Sequence, residues 1–389
     1  VQPNTFLYNI VISAFAKRGD AEVALSFLDE MKEARGNGNE RVRPDAFTYA
    51  TVINALAQSR GFSRSAAQFA SDLLEELVDE YSQYKSQEMQ PTTHAFAAAI
   101  LTWANSGEDD CGEQAENLFQ NMMELSSGHS DDSSLAPKPN TNVCNAVLRV
   151  WSRSPEGSAP ERAEAFLQWM QDQIENGENL NVRPDRTSFN HVMKTWAQSG
   201  RAVAVRRIET HLNRMLEEFG SNKTDPTSMS PDAYSYNCLL EAMKNSRDAQ
   251  RGSRCHQLLE QLVERSRNSN QKLWNPQSFH NVFAACTDVQ GELASDPPMK
   301  QHVVLATFGL LASQSDNSLL ISRRTIELLL RAYGSAGGAD EDFLLDVFHL
   351  CHKTGRGIDT QAILSSLQTT LSGEFLDCAR RADQKARLG

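Results

Sequence analysis

In this 389-residue sequence the residues nearest to a reactive cluster are His349, Cys351 and His352. Imidazole and thiolate that close together would suit a soft divalent metal, but a closed site needs four ligands, and no further ones follow at metal spacing. The three read as helix residues. Cys111, Cys144, Cys238, Cys255, Cys286, Cys351 and Cys378 contain no C-x-x-C spacing. That argues for free thiols in a reducing compartment and against a zinc ribbon or disulfide frame. The strings H-E-x-x-H, G-x-x-x-x-G-K-[ST], G-x-S-x-G and G-x-G-x-x-G do not occur, so the usual metalloprotease, phosphate-loop, hydrolase and dinucleotide chemistries have no foothold. Asp109-Asp110 and Asp131-Asp132 lie in polar stretches as solvated charge. Asn222-Lys223-Thr224 matches a glycosylation sequon, whose use free thiols argue against. The expectation is a protein that is not an enzyme and carries no catalytic residue, metal or cofactor.

Any other function must rest on how the elements present their surfaces. Hydrophobic residues make up 40% of the chain, with 13 Pro and 21 Gly, which is ordinary for a folded, largely helical protein. No run approaches eighteen apolar residues, so no segment is expected to span a bilayer as a helix. The sequence enters a repeating pattern at Pro3, so an upstream portion with any targeting segment is expected to be missing.

The repeat appears when prolines are aligned. Pro3, Pro44, Pro91, Pro139, Pro184 and Pro231 are each followed five residues later by Tyr8, Tyr49, Phe96, Cys144, Phe189 and Tyr236. Apolar residues recur three, four and seven positions further on, as in Val11, Ile12 and Phe15 or Val192, Met193 and Trp196. This is one stripe of a helix, with proline placed where its missing N–H does least harm. Gly19, Gly107 and Gly200 come eleven residues after their aromatics, where a helix should stop. Second helices are predicted over 21–34, 65–80, 113–125, 163–174, 203–218 and 255–265. Neither helix of a pair can bury its face alone, so successive pairs must stack. The period of 41 to 48 residues leaves polar insertions at 36–40, 126–134 and 221–230. A degenerate seventh unit runs from Phe279 through Val282, Phe283 and Cys286, its Pro276 two residues too close. An eighth uses Ile326, Leu329, Leu330 and Tyr333, with Gly337 as the stop. Trp103, Trp151 and Trp196 sit at a core offset.

Strings such as Pro3-Asn4-Thr5-Phe6-Leu7-Tyr8-Asn9, Pro44-Asp45-Ala46-Phe47-Thr48-Tyr49 and Pro231-Asp232-Ala233-Tyr234-Ser235-Tyr236-Asn237 resemble the signature of the pentatricopeptide repeat family. The tetratricopeptide pattern, with W-x₂-L-G-x₂-Y and a near-constant 34-residue period, is absent. The resemblance implies an all-α fold, a right-handed superhelical α-solenoid of helix-turn-helix repeats. Six repeats would cover 3–277, two degenerate ones 278–357, and capping helices 358–389.

It further implies single-stranded RNA along the first helices, roughly one base per repeat, in a mitochondrion or plastid. Base choice would rest on Asn9 with Asp45, Asn145 with Asp185, Asn190 with Asp232, and Asn237 with Gln277. An amide presents both donor and acceptor to a base edge, and a carboxylate can orient it. The preferred site would be U-N-N-U-U followed by a pyrimidine. Ala50 and Ala97 leave repeats two and three without a reader. Phe6, Phe47 and Tyr234, two positions before the aromatic, would wedge between bases, where Asn142 and Thr187 would do so poorly. Lys17 and Arg153 match the family's phosphate contact. The same Asn and Asp residues could also serve helix ends alone.

Net charge of −12 opposes a polyanion, but its distribution does not. Six first-helix segments (5–18, 46–60, 93–105, 141–153, 186–200 and 233–247) hold nine bases, among them Arg18, Arg60, Arg149 and Lys194, against one acid, Glu241. The six second-helix segments hold 22 acids and 11 bases. A basic wall inside an acidic one can still focus phosphates. The partners expected are U-rich single-stranded RNA and other proteins on the outer helices and loops, with no membrane and no DNA. The alternative is a protein scaffold in an organellar ribosome or RNA-processing complex.

Overall fold

A computed structural model describes residues 3–59, 64–84, 86–127, 137–221, 229–269, 271–287, 297–314, 321–353 and 358–388. Among these residues there are eighteen α-helices, three short 3₁₀ turns and no strand. The chain divides into two compact units, 1–195 and 196–389.

In the first unit, α1 (Thr5–Arg18), α3 (Ala46–Gln58), α5 (Thr93–Trp103) and α7 (Thr141–Trp151) alternate with α2 (Ala21–Gly36), α4 (Arg64–Tyr84), α6 (Cys111–Ser127) and α8 (Ala159–Glu175). The boundary between the units falls inside α9 (Arg186–Gln198). The odd helices lie side by side as one layer, and each even helix packs on the odd helix before it. These are the helical hairpins of a repeat solenoid. Why the odd helices begin where they do is clear at α3. Asp45 caps it by accepting from Thr48 N at 2.8 Å, while Thr48 Oγ1 accepts from Asp45 N at 3.1 Å. Such a reciprocal cap satisfies two donors that the first turn leaves free. Gly19 ends α1 at φ 78°, a left-handed turn that a side chain would strain.

The apolar stripe is the core. Tyr49, Phe96, Cys144 and Phe189 are buried at the predicted aromatic position, and Trp103 and Trp151 are buried at the predicted core offset. Their indole N–H groups donate to Ser71 Oγ at 3.0 Å and to Glu116 Oε1 at 2.9 Å. Between repeats, 3₁₀ turns at Glu40–Val42, Gln87–Met89 and Leu180–Val182 each push one apolar side chain, Val42, Met89 or Val182, into that core. Thr5 Oγ1 then donates to Arg43 O at 2.7 Å, and Thr141 Oγ1 to Arg183 O at 2.7 Å. These bonds fix the start of each following repeat against the first helix of the one before.

The second unit continues with α10 (Ala204–Ser221), α11 (Ala233–Asn245), α12 (Arg251–Asn268), α13 (Pro276–Cys286), α14 (Pro297–Ala312), α15 (Arg323–Ser335) and α16 (Glu341–Lys353). Here α11, α13 and α15 form the side-by-side layer. Phe279, Val282, Phe283 and Cys286 are buried in α13, as are Ile326, Leu329, Leu330 and Tyr333 in α15. Two more helices, α17 (Thr360–Ser366) and α18 (Gly373–Leu388), follow, and α18 packs along α16. The insertions expected at 126–134 and 221–230, with Asp131, Asp132 and the Asn222 sequon, lie largely or wholly outside the described residues, as does Arg60. His349, Cys351 and His352 lie on α16, and among the described residues no group of His, Cys, Asp and Glu is arranged to hold a metal. All seven cysteines are buried and none is in a disulfide, and burial pushes Cys255, Cys286 and Cys351 up to about 12. Among the described residues no helix is long and apolar enough to cross a membrane.

Candidate nucleic-acid interface

Counted from its N-cap, each first helix presents the same positions on one face. The second, fifth, ninth and thirteenth residues after the cap follow a helical line. On α1 this line holds Phe6, Asn9 and Lys17. On and just beyond α7 it holds Asn142, Asn145, Arg149 and Arg153, and on α11 Tyr234 and Asn237.

At the fifth position the asparagines are clamped by the cap of the next repeat. Asn9 Nδ2 donates to Asp45 Oδ1 and Oδ2 at 3.2 and 3.3 Å, and Thr48 Oγ1 donates to Asn9 Oδ1 at 2.7 Å. Asn145 Nδ2 donates to Asp185 at 3.1 and 3.3 Å, and Ser188 Oγ donates to Asn145 Oδ1 at 2.6 Å. The carboxylate can only accept, so the nitrogen end of each amide is the one that faces it. The pairs Asn9 with Asp45 and Asn145 with Asp185 are thus brought together. Asn190 is buried in α9, while Asp232 caps α11 with Ser235 N donating at 2.9 Å. These two belong to different units.

Asn237 corrects the sequence reading. Its Nδ2 donates to Asn275 Oδ1 at 2.9 Å, and Ser278 Oγ donates to its Oδ1 at 2.7 Å. The residue beside it is Asn275, not Gln277, because Pro276 is the first residue of α13 rather than the residue before its cap. Gln277 shifts two places, into the exposed row of Phe6 and Phe47, with Nε2 donating to Asn281 Oδ1 at 3.1 Å. The seventh repeat also has an occupant that sequence reasoning missed. His280 stands five after the cap Asn275, with Nε2 2.8 Å from Thr325 Oγ1 of α15. Its signal was the cap itself: counted from Asn275 rather than from Pro276, His280 falls in the Asn9 row.

The second-position aromatics face outward. Phe6 is 69%, Phe47 58% and Tyr234 47% exposed, which leaves the rings open to a stacking partner. Asn142 and Thr187 are exposed in the same row. Ala50 is buried and Ala97 half-buried, and neither carries a polar group.

Charge follows the line downward. Lys17 is exposed, while Arg18 turns to Asp20 at 3.4 Å. Arg153 is exposed yet anchored, donating through Nη1 to Ala104 O at 3.4 Å and to Asn105 Oδ1. Burial, and then the Arg153 charge, lower the Arg149 guanidinium from its ordinary value. Burial followed by Arg149 holds the neighbouring His191 down at about 4, against an opposing pull from Asp185. The result is a cationic cluster beside the Asn145 and Asp185 pair.

The acids sit on the other layer. Lys32 Nζ meets Glu76 Oε2 at 2.6 Å, Arg35 meets Glu80 at 2.9 Å, and Arg162 meets Glu116, so charged pairs bridge successive even helices. The expected acidic outer wall is uneven, however. The four helices α2, α4, α6 and α8 hold sixteen acids and four bases, but α10 and α12 hold five acids and seven bases. The charge split is a property of the first unit.

Residues 3–58 match the model of the PPR repeat family. The match spans α1, α2 and α3, with the Asn9 and Asp45 pair, and supports a pentatricopeptide repeat protein. A comparison with curated proteins finds no match.

Proposed function

We propose that the first-helix layer of this chain binds single-stranded RNA, with Asn9, Asn145, Asn190 and Asn237 contacting base edges. The observation that carries this is the repeated clamp: the same amide, in the same place, oriented at 2.6–2.7 Å by a hydroxyl of the next repeat. Phe6, Phe47 and Tyr234 lie where bases can stack on them, worth about 1–3 kcal/mol per base. Lys17, Arg149 and Arg153 supply phosphate contacts. Asp45, Asp185 and Asp232 favour uracil, and Ala50 and Ala97 act as spacers, giving the site U-N-N-U-U followed by a base read by Asn237. The role is processing, stability or translation of organellar transcripts.

The test is titration against U-rich and A-rich oligonucleotides. Replacing Asn145 and Asn190 with Ala should weaken binding to the U-rich site by roughly 1–3 kcal/mol per lost contact, on the scale of base-edge pairs, and leave the A-rich one unchanged. Replacing Lys17 and Arg153 with Gln should weaken all RNAs alike and reduce the salt slope by about one per charge. Equal binding of both oligonucleotides, or none at low salt, moves the reading to a protein scaffold. That second reading is favoured by Phe69, which projects 55% exposed from α4, in the acidic second-helix layer.

A further inference from the structure

The hydroxyls that touch the reader asparagines have a simple local reading: Thr48, Ser188 and Ser278 sit three residues after an N-cap, where such a side chain completes a capping box. If capping were their whole role, their identity would depend only on their own helix. It depends instead on the residue in the repeat before. Where the fifth position carries Asn9, Asn145, Asn190, Asn237 or His280, the third position of the next repeat is Thr48, Ser188, Ser235, Ser278 or Thr325. Where it carries Ala50 or Ala97, the third position is Ala95 or Val143. All seven successions match, and the helices that lose the hydroxyl keep their caps, since Thr92 still accepts from Ala95 N at 3.2 Å and Asn140 from Val143 N at 3.1 Å.

Proton counting shows what the hydroxyl does. Thr48 Oγ1 already accepts from Asp45 N, so its single proton is free to be given. The amide carbonyl of Asn9 is the nearest acceptor at 2.7 Å, against 2.8 Å for Asp45 Oδ1. For Ser188 the preference is wider, 2.6 Å to Asn145 Oδ1 against 3.2 Å to Asp185 Oδ1. One lone pair of the reader's carbonyl is thereby taken inside the protein, and one N–H is taken by the cap.

We propose that Thr48, Ser188 and Ser278 are positioning residues, which hold the carbonyl end of the reader amide inside the protein so that its remaining N–H is the group turned toward a ligand. The base selectivity of one repeat is then set in part by the third residue of the next. A base acceptor then meets this N–H, with the cap side chain, Asp45 or Asp185, as the neighbouring acceptor for a base N–H. Without the hydroxyl, a buried carbonyl is left unpaired and the amide can rotate to pair it, which costs stability and orientation together. The part concerning base selectivity rests on the RNA reading above; the pairing itself does not.

Two measurements separate these. Without RNA, Ala97→Asn, Val143→Ser and the double variant form a cycle read by urea unfolding. Ala97→Asn alone should destabilise, and Val143→Ser should restore stability only in its presence, by roughly fivefold in the unfolding equilibrium, the worth of one hydrogen bond. Additive effects would overturn the pairing. With RNA, Ser188→Ala should bring U-rich and A-rich oligonucleotides closer by roughly fivefold at an unchanged salt slope, and Ser188→Thr should keep the wild-type ratio. A selective wild type with an equally selective Ser188→Ala would overturn the positioning role and leave the RNA reading intact. A wild type without selectivity would sink the RNA reading, and the cycle would still decide the pairing.

Discussion

Asn145 and Asp185 are forty residues apart in sequence and joined by two hydrogen bonds, at 3.1 and 3.3 Å, from one amide nitrogen to both carboxylate oxygens. Asp185 also accepts from Ser188 N at 2.9 Å, so one side chain both caps α9 and fixes the residue proposed to read a base. Asp185→Ala removes both and should cost about 1–2 kcal/mol, in the range of a lost N-cap with a strong partner. Asp185→Asn keeps an oxygen for the cap and should cost less than half of that. Urea midpoints of the two variants check this. Equal losses would mean that the carboxylate acts by charge and not as a capping acceptor.

Among the described glycines of the first unit, Gly112 is the most tightly enclosed. A Cβ there would lie 2.3 Å from the Trp151 ring, which is itself held by Glu116 and faced by Arg162, 5.5 Å from its centroid. Gly112→Ala must push an indole that has nowhere to go, and overpacking of this kind costs typically about 1–3 kcal/mol. The usual helix-propensity gain of alanine over glycine, about 1 kcal/mol, is therefore expected to be lost and reversed. A thermal midpoint at or above wild type would show that Trp151 has room to shift.

The helical pairs, the buried stripe at Tyr49, Phe96 and Phe189, and the core tryptophans were legible because each is a local pattern with period 3.6. The register of α13 was not. Proline served as the marker, and in six repeats it precedes the cap, but Pro276 occupies the first helical turn, where proline is equally tolerated. The marker that keeps register is the cap, Asn275. Nor was the Ser188 to Asn145 contact legible, since a hydroxyl three residues after Asp185 already has a complete local explanation. The pairs between even helices, such as Lys32 with Glu76, escaped because long side chains on neighbouring repeats carry no periodic signal.

His280 gives the array a pH dependence of known sign. Burial, followed by the Arg324 charge, holds its imidazole down at about 4, and its Nδ1 is buried without a hydrogen-bond partner. An unfolded chain protonates histidine near its ordinary value of about 6.5. Between about 6.5 and 4 the unfolded state therefore binds a proton that the folded state refuses. Stability is complete above about pH 6.5 and lost as pH falls toward 4. His191 contributes in the same direction. His280→Asn, which supplies the amide found at this position in other repeats, should flatten the fall in unfolding midpoint across that window. An unchanged slope would assign the acid sensitivity elsewhere.

At the C-terminal end, buried Asp383 of α18 gathers three elements. His352 Nε2 of α16 donates to its Oδ1 at 3.2 Å, Thr360 Oγ1 of α17 donates to the same oxygen at 2.8 Å, and Arg387 Nε donates to Oδ2 at 3.0 Å. Arg387 Nη2 closes the ring on Thr360 Oγ1 at 2.8 Å. Hydrogen bonds to a charged group are worth about 1.5–3 kcal/mol each before solvent takes its share. Arg387 is 42% exposed and recovers water when its partner is lost. Asp383→Ala should therefore cost roughly 2–3 kcal/mol, not the sum of its bonds, and Thr360→Ala about 1 kcal/mol. Because α17 and α18 contact the rest of the unit mainly through α15 and α16, the loss should be local. Hydrogen exchange in Asp383→Ala should rise over 341–388 while α11 and α13 keep their protection. Uniform loss across the second unit would mean that these helices are an integral part of its cooperative core.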